Sequence, residues 1–272
     1  MPALVNPIVK KLSSSGSTLN GLESLKSIYS LKKIVSSATY CLKVRRSNDN
    51  AEKNISWTGN LINTQQISDF CGANDGFVST WYDQLSSNNL TQSSSNLQPK
   101  IFDGTNGLIT NPSNNLAAID TLTTSTVLAN TGFLQAQPYG LTMVWRPKTV
   151  IGHQGGEVLV GSGTSSPFVS FAYRANRIFA NAGAGLNFDK SMLSATHLSS
   201  VLMNGTNTTI RDNDETKTGN AGTSTRGALG LGAYTNGAQS SDMYVQELLV
   251  YNDNVTLANI EKQEAKADIR WF

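Results

Sequence analysis

Apolar residues recur along this chain in short runs with a two-residue period, broken by turns rich in Gly, Asn and Ser. The clearest run is GFVSTWYDQ at 76–84. In an extended backbone Phe77, Ser79 and Trp81 point one way and Val78, Thr80 and Tyr82 the other. Large apolar groups fall on both sides, so this central strand is expected to be covered on both faces. Gly72 and Gly76 punctuate its start, and a Ser/Asn-rich loop follows Asp83-Gln84. Beyond Pro138 the strand signals become regular, at 141–145, 157–160, 168–173, 177–180, 198–203, 208–212, 229–232 and 243–251. Short, turn-bounded segments at this spacing predict an antiparallel β-sandwich rather than βαβ units. Asn204-Gly205 stands where a hairpin turn is expected between two of them.

A helical period shows in three places. Over 20–35, Leu22, Leu25, Ile28, Tyr29 and Leu31 form an apolar stripe, with Asn20 as N-cap and Lys32 and Lys33 suited to the C-terminal end. A short helix is expected over 64–70, after a strand at 39–45. A closing helix is expected over 256–271, where Leu257, Ile260, Ala267 and Trp271 share a face. Residues 1–18 carry Pro2, Pro7 and a Ser13–Thr18 run, which discourage regular structure, and read as an arm. The expectation is an arm over 1–18 and one all-β sandwich domain over 19–272, with a short N-terminal helix and a C-terminal helix.

Composition narrows the function classes. Charged residues make up 15% of the 272 and the net charge is +2, so no strong global field favours nucleic acid or membrane. The charge is uneven: residues 1–60 hold nine Lys/Arg against three Asp/Glu, a net of +6 that leaves −4 for the rest. A solvated basic face accounts for this better than a docking site for an acidic partner. No run of about 18 apolar residues exists to cross a membrane as a helix. The N-terminus lacks a long apolar segment, so no secretory signal is read there. Accordingly Cys41 and Cys71 are expected as free thiols, with a disulfide across neighbouring strands as the alternative, and the Asn-x-Ser/Thr sequons at Asn54, Asn89, Asn204, Asn207 and Asn254 as chance in an Asn/Thr-rich chain.

Candidate chemistry is sparse. His153 and His197 are the only histidines, and no Cys/His cluster has zinc spacing. No Gly-x-Ser-x-Gly elbow is present, which leaves a Ser-His-Asp site without its usual marker. Glu157, Glu215 and Glu247 are isolated carboxylates for which a structural or solvated role is expected. The turn Asp212-Asn213-Asp214-Glu215 is a candidate for Ca²⁺, but it matches no EF-hand loop and reads better as a hairpin tip. No metal or other cofactor is expected. Trp81, Tyr82, Trp145 and Tyr173 offer area for stacking a sugar, although aromatics in strands more often serve a core.

Two elements together carry a resemblance. The first is Val44-Arg45-Arg46-Ser47-Asn48-Asp49-Asn50. The second runs Phe70-Cys71-Gly72, then Asp75 to Gln84, Thr91-Gln92 and Gln98-Pro99-Lys100-Ile101. In order and spacing they resemble the catalytic-domain family of arabinofuranosidase B and related phage and bacterial proteins. From about Leu141 the chain also resembles a concanavalin A-like, laminin G-type jelly roll, and the two likenesses span roughly Tyr29 to Phe272. Relatives carry a strand, turn and strand after this point, for which Phe102-Asp103-Gly104 and Ala117 to Asp120 are both possible counterparts.

The resemblance implies two catalytic carboxylates, a strand Glu and an Asp in a Gly-Gly-Asp-Asn-Ser-Asn-Gly-Ala-Gln loop. That loop matches Leu231-Gly232-Ala233-Tyr234-Thr235-Asn236-Gly237-Ala238-Gln239, where Ala233 or Tyr234 stands in place of Asp. The strand region corresponds to Phe168–Ala180 and holds no Glu or Asp. No catalytic residue is therefore assigned. Tyr234, Asn236, Gln239 and Trp145 are the candidate carbohydrate-binding residues. The expected function is a non-catalytic structural or adhesion module, a bacteriophage virion protein of a fibre, tail or capsid appendage, assembled in the host cytoplasm. Its expected partners are further copies of itself, other virion proteins and a host-surface glycan. A divergent arabinofuranosidase-like hydrolase with relocated carboxylates and a free-standing lectin are the alternatives.

Overall fold

The computed structural model describes residues 22–121, 125–149, 157–163, 169–192 and 195–272. The arm at 1–18, Asn20, His153 and Phe168 lie outside the described residues.

Antiparallel strands form two layers of one hydrogen-bonded network. In the first layer Gly185–Asp189, Arg177–Ala182, Val169–Arg174, Glu157–Ser162 and Leu229–Leu231 lie side by side. Leu128–Asn130, Leu90–Thr91, Gly76–Trp81, Leu42–Arg46 and Glu52–Ile55 continue it. In the second layer Leu25–Ser30 and Ile119–Asp120 pair along Met243–Tyr251. Tyr139–Pro147, His197–Met203, Thr208–Asp212 and Glu215–Gly219 follow in order. Lys100–Asp103 ties the layers, since it pairs with both Gly76–Trp81 and Ile119–Asp120. The all-β antiparallel architecture and the C-terminal helix are as the periodicity predicts.

The first layer shows how strand period sorts chemistry. Across it, paired positions run Leu42, Trp81 and Leu90, and then Leu128, Leu231, Val160, Phe171, Ala180 and Leu186. All are buried in the main core with Trp145, Tyr139 and Leu141 of the second layer. Burying each large side chain contributes about 1.5–3 kcal/mol. The paired row one residue along lies on the opposite face and is made of small or polar residues.

The N-terminal expectation is corrected: Leu25–Ser30 is a strand, not a helix. A β-bulge between Leu25 and Ser27 shifts the side-chain phase. Leu25 and Ile28, three apart, thereby reach one cluster beside the C-terminal helix, while Tyr29 and Leu31 join the main core. A strand covered on both faces, with a bulge, imitates a helical stripe. The other two helices stand where expected, at Thr64–Cys71 and Leu257–Trp271. Thr256 caps the latter in a capping box, and Ile260, Gln263, Ala267 and Trp271 are its buried face. Cys41 and Cys71 are free and buried.

Candidate functional site

The row on the outer face of the first layer reads Asn54, Lys43, Thr80, Thr91, Ala129, Gly230, Gly161, Ser170, Asn181 and Gly185, each paired with the next. Its middle, from Thr80 to Ser170, has no side chain larger than threonine, so the sheet surface sinks into a trough there. At one end the trough is an open groove of about 550 Å³. Glu52, Ser79, Thr80, Asn89, Thr91, Gln92, Ser93, Ala129, Asn130, Thr131 and Thr235 line it.

These side chains are held in place by hydrogen bonds. Thr91 Oγ1 donates to the Ala129 carbonyl at 3.5 Å, and Asn130 Nδ2 to the Asn89 carbonyl at 3.3 Å. Gln92 Nε2 donates to the Val127 carbonyl at 3.1 Å. Glu52 is the one carboxylate among the described residues of the lining, and Lys43 Nζ stands 3.7 Å from it. The groove is thus close to neutral and rich in hydroxyl and amide groups, which can both donate and accept hydrogen bonds.

The other end of the trough is filled by the loop 232–239. A Cβ built on Gly161 would lie 2.7 Å from Tyr234 Cδ1, and one on Gly230 would lie 2.8 Å from the Ala233 carbonyl oxygen. Glycine at these positions lets the loop lie directly on the sheet. The Tyr234 ring packs on Val158 and Ala172, with Phe179 alongside. Burial raises the Tyr234 pKa, opposed by its hydrogen bond with Ser170. Gly237 N–H donates to the Tyr234 carbonyl and Tyr234 N–H to the Ala238 carbonyl, closing the turn.

The four carbohydrate-binding candidates do not converge. Trp145 is corrected: it is fully buried, donates from Nε1 to Ser199 Oγ at 2.9 Å and stacks on His197. A ring enclosed between sheets offers no face to a sugar. Tyr234 is 6% exposed, its ring packed on Val158 and Ala172, and it does not line the groove. Asn236 is exposed at the loop tip, where its Oδ1 accepts from Ala238 N–H. Gln239 takes a left-handed φ of 52° and its carbonyl accepts from Val158 N–H. Of the groove residues, Thr91 and Gln92 lie in the second resemblance element and Thr235 in the 231–239 loop, yet none was singled out for binding, and Asn130 lies in no motif. Their one sequence signal is small or polar residues at alternate strand positions.

The carboxylates settle elsewhere. Glu247 is fully buried and accepts from Ser30 Oγ at 2.8 Å, Trp271 Nε1 at 2.9 Å and the Arg270 guanidinium. Glu215 pairs with Lys190 at 2.9 Å. Lys148 Nζ clamps Asp120 at 2.9 Å and Asp242 at 3.0 Å. Burial works to lower the Lys148 pKa, and the two carboxylates outweigh it and raise the pKa. The Asp212–Glu215 turn is a hairpin tip, with Asn213 and Asp214 at positive φ. Asp212 faces inward, accepting from Ser199 Oγ at 2.5 Å and contacting His197 Nδ1 at 3.0 Å. His197 Nε2 lies 3.2 Å from the Met192 carbonyl, so its second nitrogen is directed away from Ser199 chemistry. Ser199, His197 and Asp212 therefore form a buried structural cluster in which serine and histidine both bond the aspartate, not a relay. No group of three metal-ligating side chains occurs among the described residues.

The motif residues are structural wiring. Asp83 Oδ1 accepts from Ile28 N–H at 2.9 Å and Leu85 N–H at 3.0 Å. Gln84 bonds the backbone at Ile34, Val35, Ser30 and Lys32. Arg45 donates to Gln98 Oε1 at 2.6 Å, and Lys100 pairs with Asp75 at 2.9 Å.

Comparison of the sequence with protein-family models and with curated proteins finds no match. Solved structures do match in fold. A mutant glycoside hydrolase family 54 α-L-arabinofuranosidase soaked with 4-nitrophenyl α-L-arabinofuranoside superposes with a TM-score of 0.69 at 12% identity, over 91% of this chain and 64% of that one. An arabinofuranosidase complexed with arabinofuranosyl-α-1,2-xylobiose gives 0.68 at 12% identity over the same shares. Trypanosoma rangeli sialidase in complex with sialic acid reaches only 0.49 over 83% of this chain and 44% of that one, too loose a likeness to argue from. The chain spans about 64% of the length of the arabinofuranosidases it matches, and at this identity the likeness shows the fold alone.

Proposed function

We propose that this chain is a non-catalytic carbohydrate-binding β-sandwich whose outer groove, from Glu52 to Thr235, holds a neutral glycan. One observation carries the reading. The groove is lined by neutral hydroxyl and amide side chains with Glu52 as its one carboxylate among the described residues, although glycoside hydrolysis ordinarily uses two that flank one bond. Fixed donors and acceptors at this density suit sugar hydroxyls, and the Lys43–Glu52 pair leaves no net charge to attract an acidic sugar. Glycan-array binding by the purified protein tests it. Binding of neutral glycans that drops at least tenfold in Asn130→Ala and Gln92→Ala is expected. An array without hits for the wild-type protein removes the reading.

A second reading is a hydrolase with relocated carboxylates, favoured by Asp120 and Asp242 being held together by one ammonium. Both are buried, which weighs against a substrate reaching them. Turnover of 4-nitrophenyl α-L-arabinofuranoside that vanishes in Asp242→Asn is the outcome that would establish it.

The finer assignment, an adhesion or structural subunit of a phage virion, rests on the resemblance of the Val44–Asn50 and Asp75–Gln84 elements to phage proteins. Its test is the mass in solution of the full chain beside a form lacking residues 1–18. An oligomer that dissociates on truncation supports assembly through the arm, and a monomer in both forms counts against it.

A further inference from the structure

Of the aromatics with area to stack a sugar, Trp81, Trp145 and Tyr173 are fully buried, whereas Tyr82 is half-buried. Three observations place Tyr82 against the groove. Its N–H donates to the Cys41 carbonyl at 3.0 Å, so strand pairing continues through it. Its side chain therefore leaves the sheet on the same face as Thr80, a groove residue two positions earlier. The next N–H, that of Asp83, donates to Oδ1 of the groove residue Asn89 at 3.0 Å. The Tyr82 hydroxyl donates to Asn54 Oδ1 at 2.8 Å, and Asn54 stands two residues from Glu52, which also lines the groove. Asn54 belongs to a strand separated from that of Tyr82 by Leu42–Arg46, so the ring lies across the outer face over this middle strand. Tyr40 adjoins it: it is 41% exposed, with its ring centroid 5.9 Å from that of Tyr82 and the planes 44° apart. The two rings form an open, tilted platform at the Glu52 corner of the groove.

We propose that Tyr82 and Tyr40 form a stacking subsite for the sugar next to the one held in the groove, and that the ligand is an oligosaccharide of equatorially substituted pyranoses, of the gluco or xylo kind; this rests on the groove being the glycan site. Such a pyranose presents a flat face of C–H bonds, which an aromatic ring takes out of water, and carries its hydroxyls around the rim. The groove lining is rich in hydroxyl and amide groups that suit the rim, and holds no aromatic ring among the described residues. The platform supplies the apolar face that the groove lacks. The bond to Asn54 holds the Tyr82 ring in place beforehand, so little side-chain freedom is lost when a sugar stacks on it.

The experiment titrates wild type, Tyr82→Ala, Tyr82→Phe, Tyr40→Ala and Asn130→Ala with gluco- and xylo-oligosaccharides, from the disaccharide to the hexasaccharide. The wild type should bind the longer members more tightly than the disaccharide. Tyr82→Ala is expected to cut that advantage by about tenfold. Tyr40→Ala, at an exposed position, should cut it in the same direction and keeps the test open if Tyr82→Ala does not fold. Tyr82→Phe keeps the ring and gives up only the Asn54 bond, so it should retain more of the advantage than Tyr82→Ala. Asn130→Ala, within the groove, should weaken short and long members alike and leave their ratio in place. Saccharide binding whose length advantage is the same in wild type and both alanine variants, yet falls throughout in Asn130→Ala, overturns the platform and leaves the groove standing. Binding that needs Tyr82 but not Asn130 is a failure of the groove reading, and the subsite, defined as its continuation, goes with it. The same holds if no form binds any member.

Discussion

Lys148 shows what a single buried charge does in this protein. Its ammonium lies between Asp120 and Asp242, whose side chains are 10% and 3% exposed. Lys148→Ala removes the ammonium that bridges these two carboxylates, and removing one partner of a buried pair typically costs about 3–5 kcal/mol. Urea denaturation is expected to show a loss of that order, and a change under 1 kcal/mol (roughly the worth of a surface pair) would rule out the clamp as a stabilising element. Asp212 gives a pH dependence. Burial opposes its charged form, but hydrogen bonds from His197 and Ser199 and the nearby Lys190 outweigh it and hold its pKa below 3.8. A carboxylate with a depressed folded pKa contributes stability above its unfolded pKa and loses it as pH falls through the folded one. Stability should therefore drop as pH falls below 3.8, and Asp212→Asn should flatten that limb in urea midpoints followed down through the same range.

Among the elements, the C-terminal helix depends on a close approach. A Cβ on Gly140 would lie 3.1 Å from Ile260 Cδ1 and 3.1 Å from Tyr251 Cδ2. Gly140→Val is expected to lift the helix from the Tyr139–Pro147 strand at about 1–3 kcal/mol, the usual cost of overpacking. Denaturant midpoints check this, with Gly185→Val as the control, since a Cβ there meets nothing within 4 Å. The Leu25–Ser30 strand is held by Asp83 and Gln84 from the far end of the Gly76–Trp81 strand. Helical stripe and strand were distinguishable only through those bonds and the Met243–Tyr251 pairing, all of them distant in sequence. The regular strands after Pro138 were legible because each has one face in the main core and turns at both ends. The groove was not legible, because Thr80, Thr91, Ala129 and Thr235 come from four separate segments and none is unusual alone.

For the molecule as a whole, the two layers share one core. Trp81 of the first layer and Trp145 of the second are both fully buried in it. A domain over 19–272 that folds as one unit should lose tryptophan fluorescence and far-ultraviolet ellipticity at one denaturant midpoint. Two separated midpoints would argue for independent halves.

The sequence by itself determined what depends on neighbours in the chain: strand period, turn positions, and the Thr64–Cys71 and Leu257–Trp271 helices. Tertiary structure decided what depends on register. A shift of one residue in any pairing would exchange the row of Leu, Trp and Phe with the row of Thr, Gly and Ser. Only the paired sheet brings Gly161 beneath Tyr234, opens the groove beside Thr235 and closes Trp145 into the core.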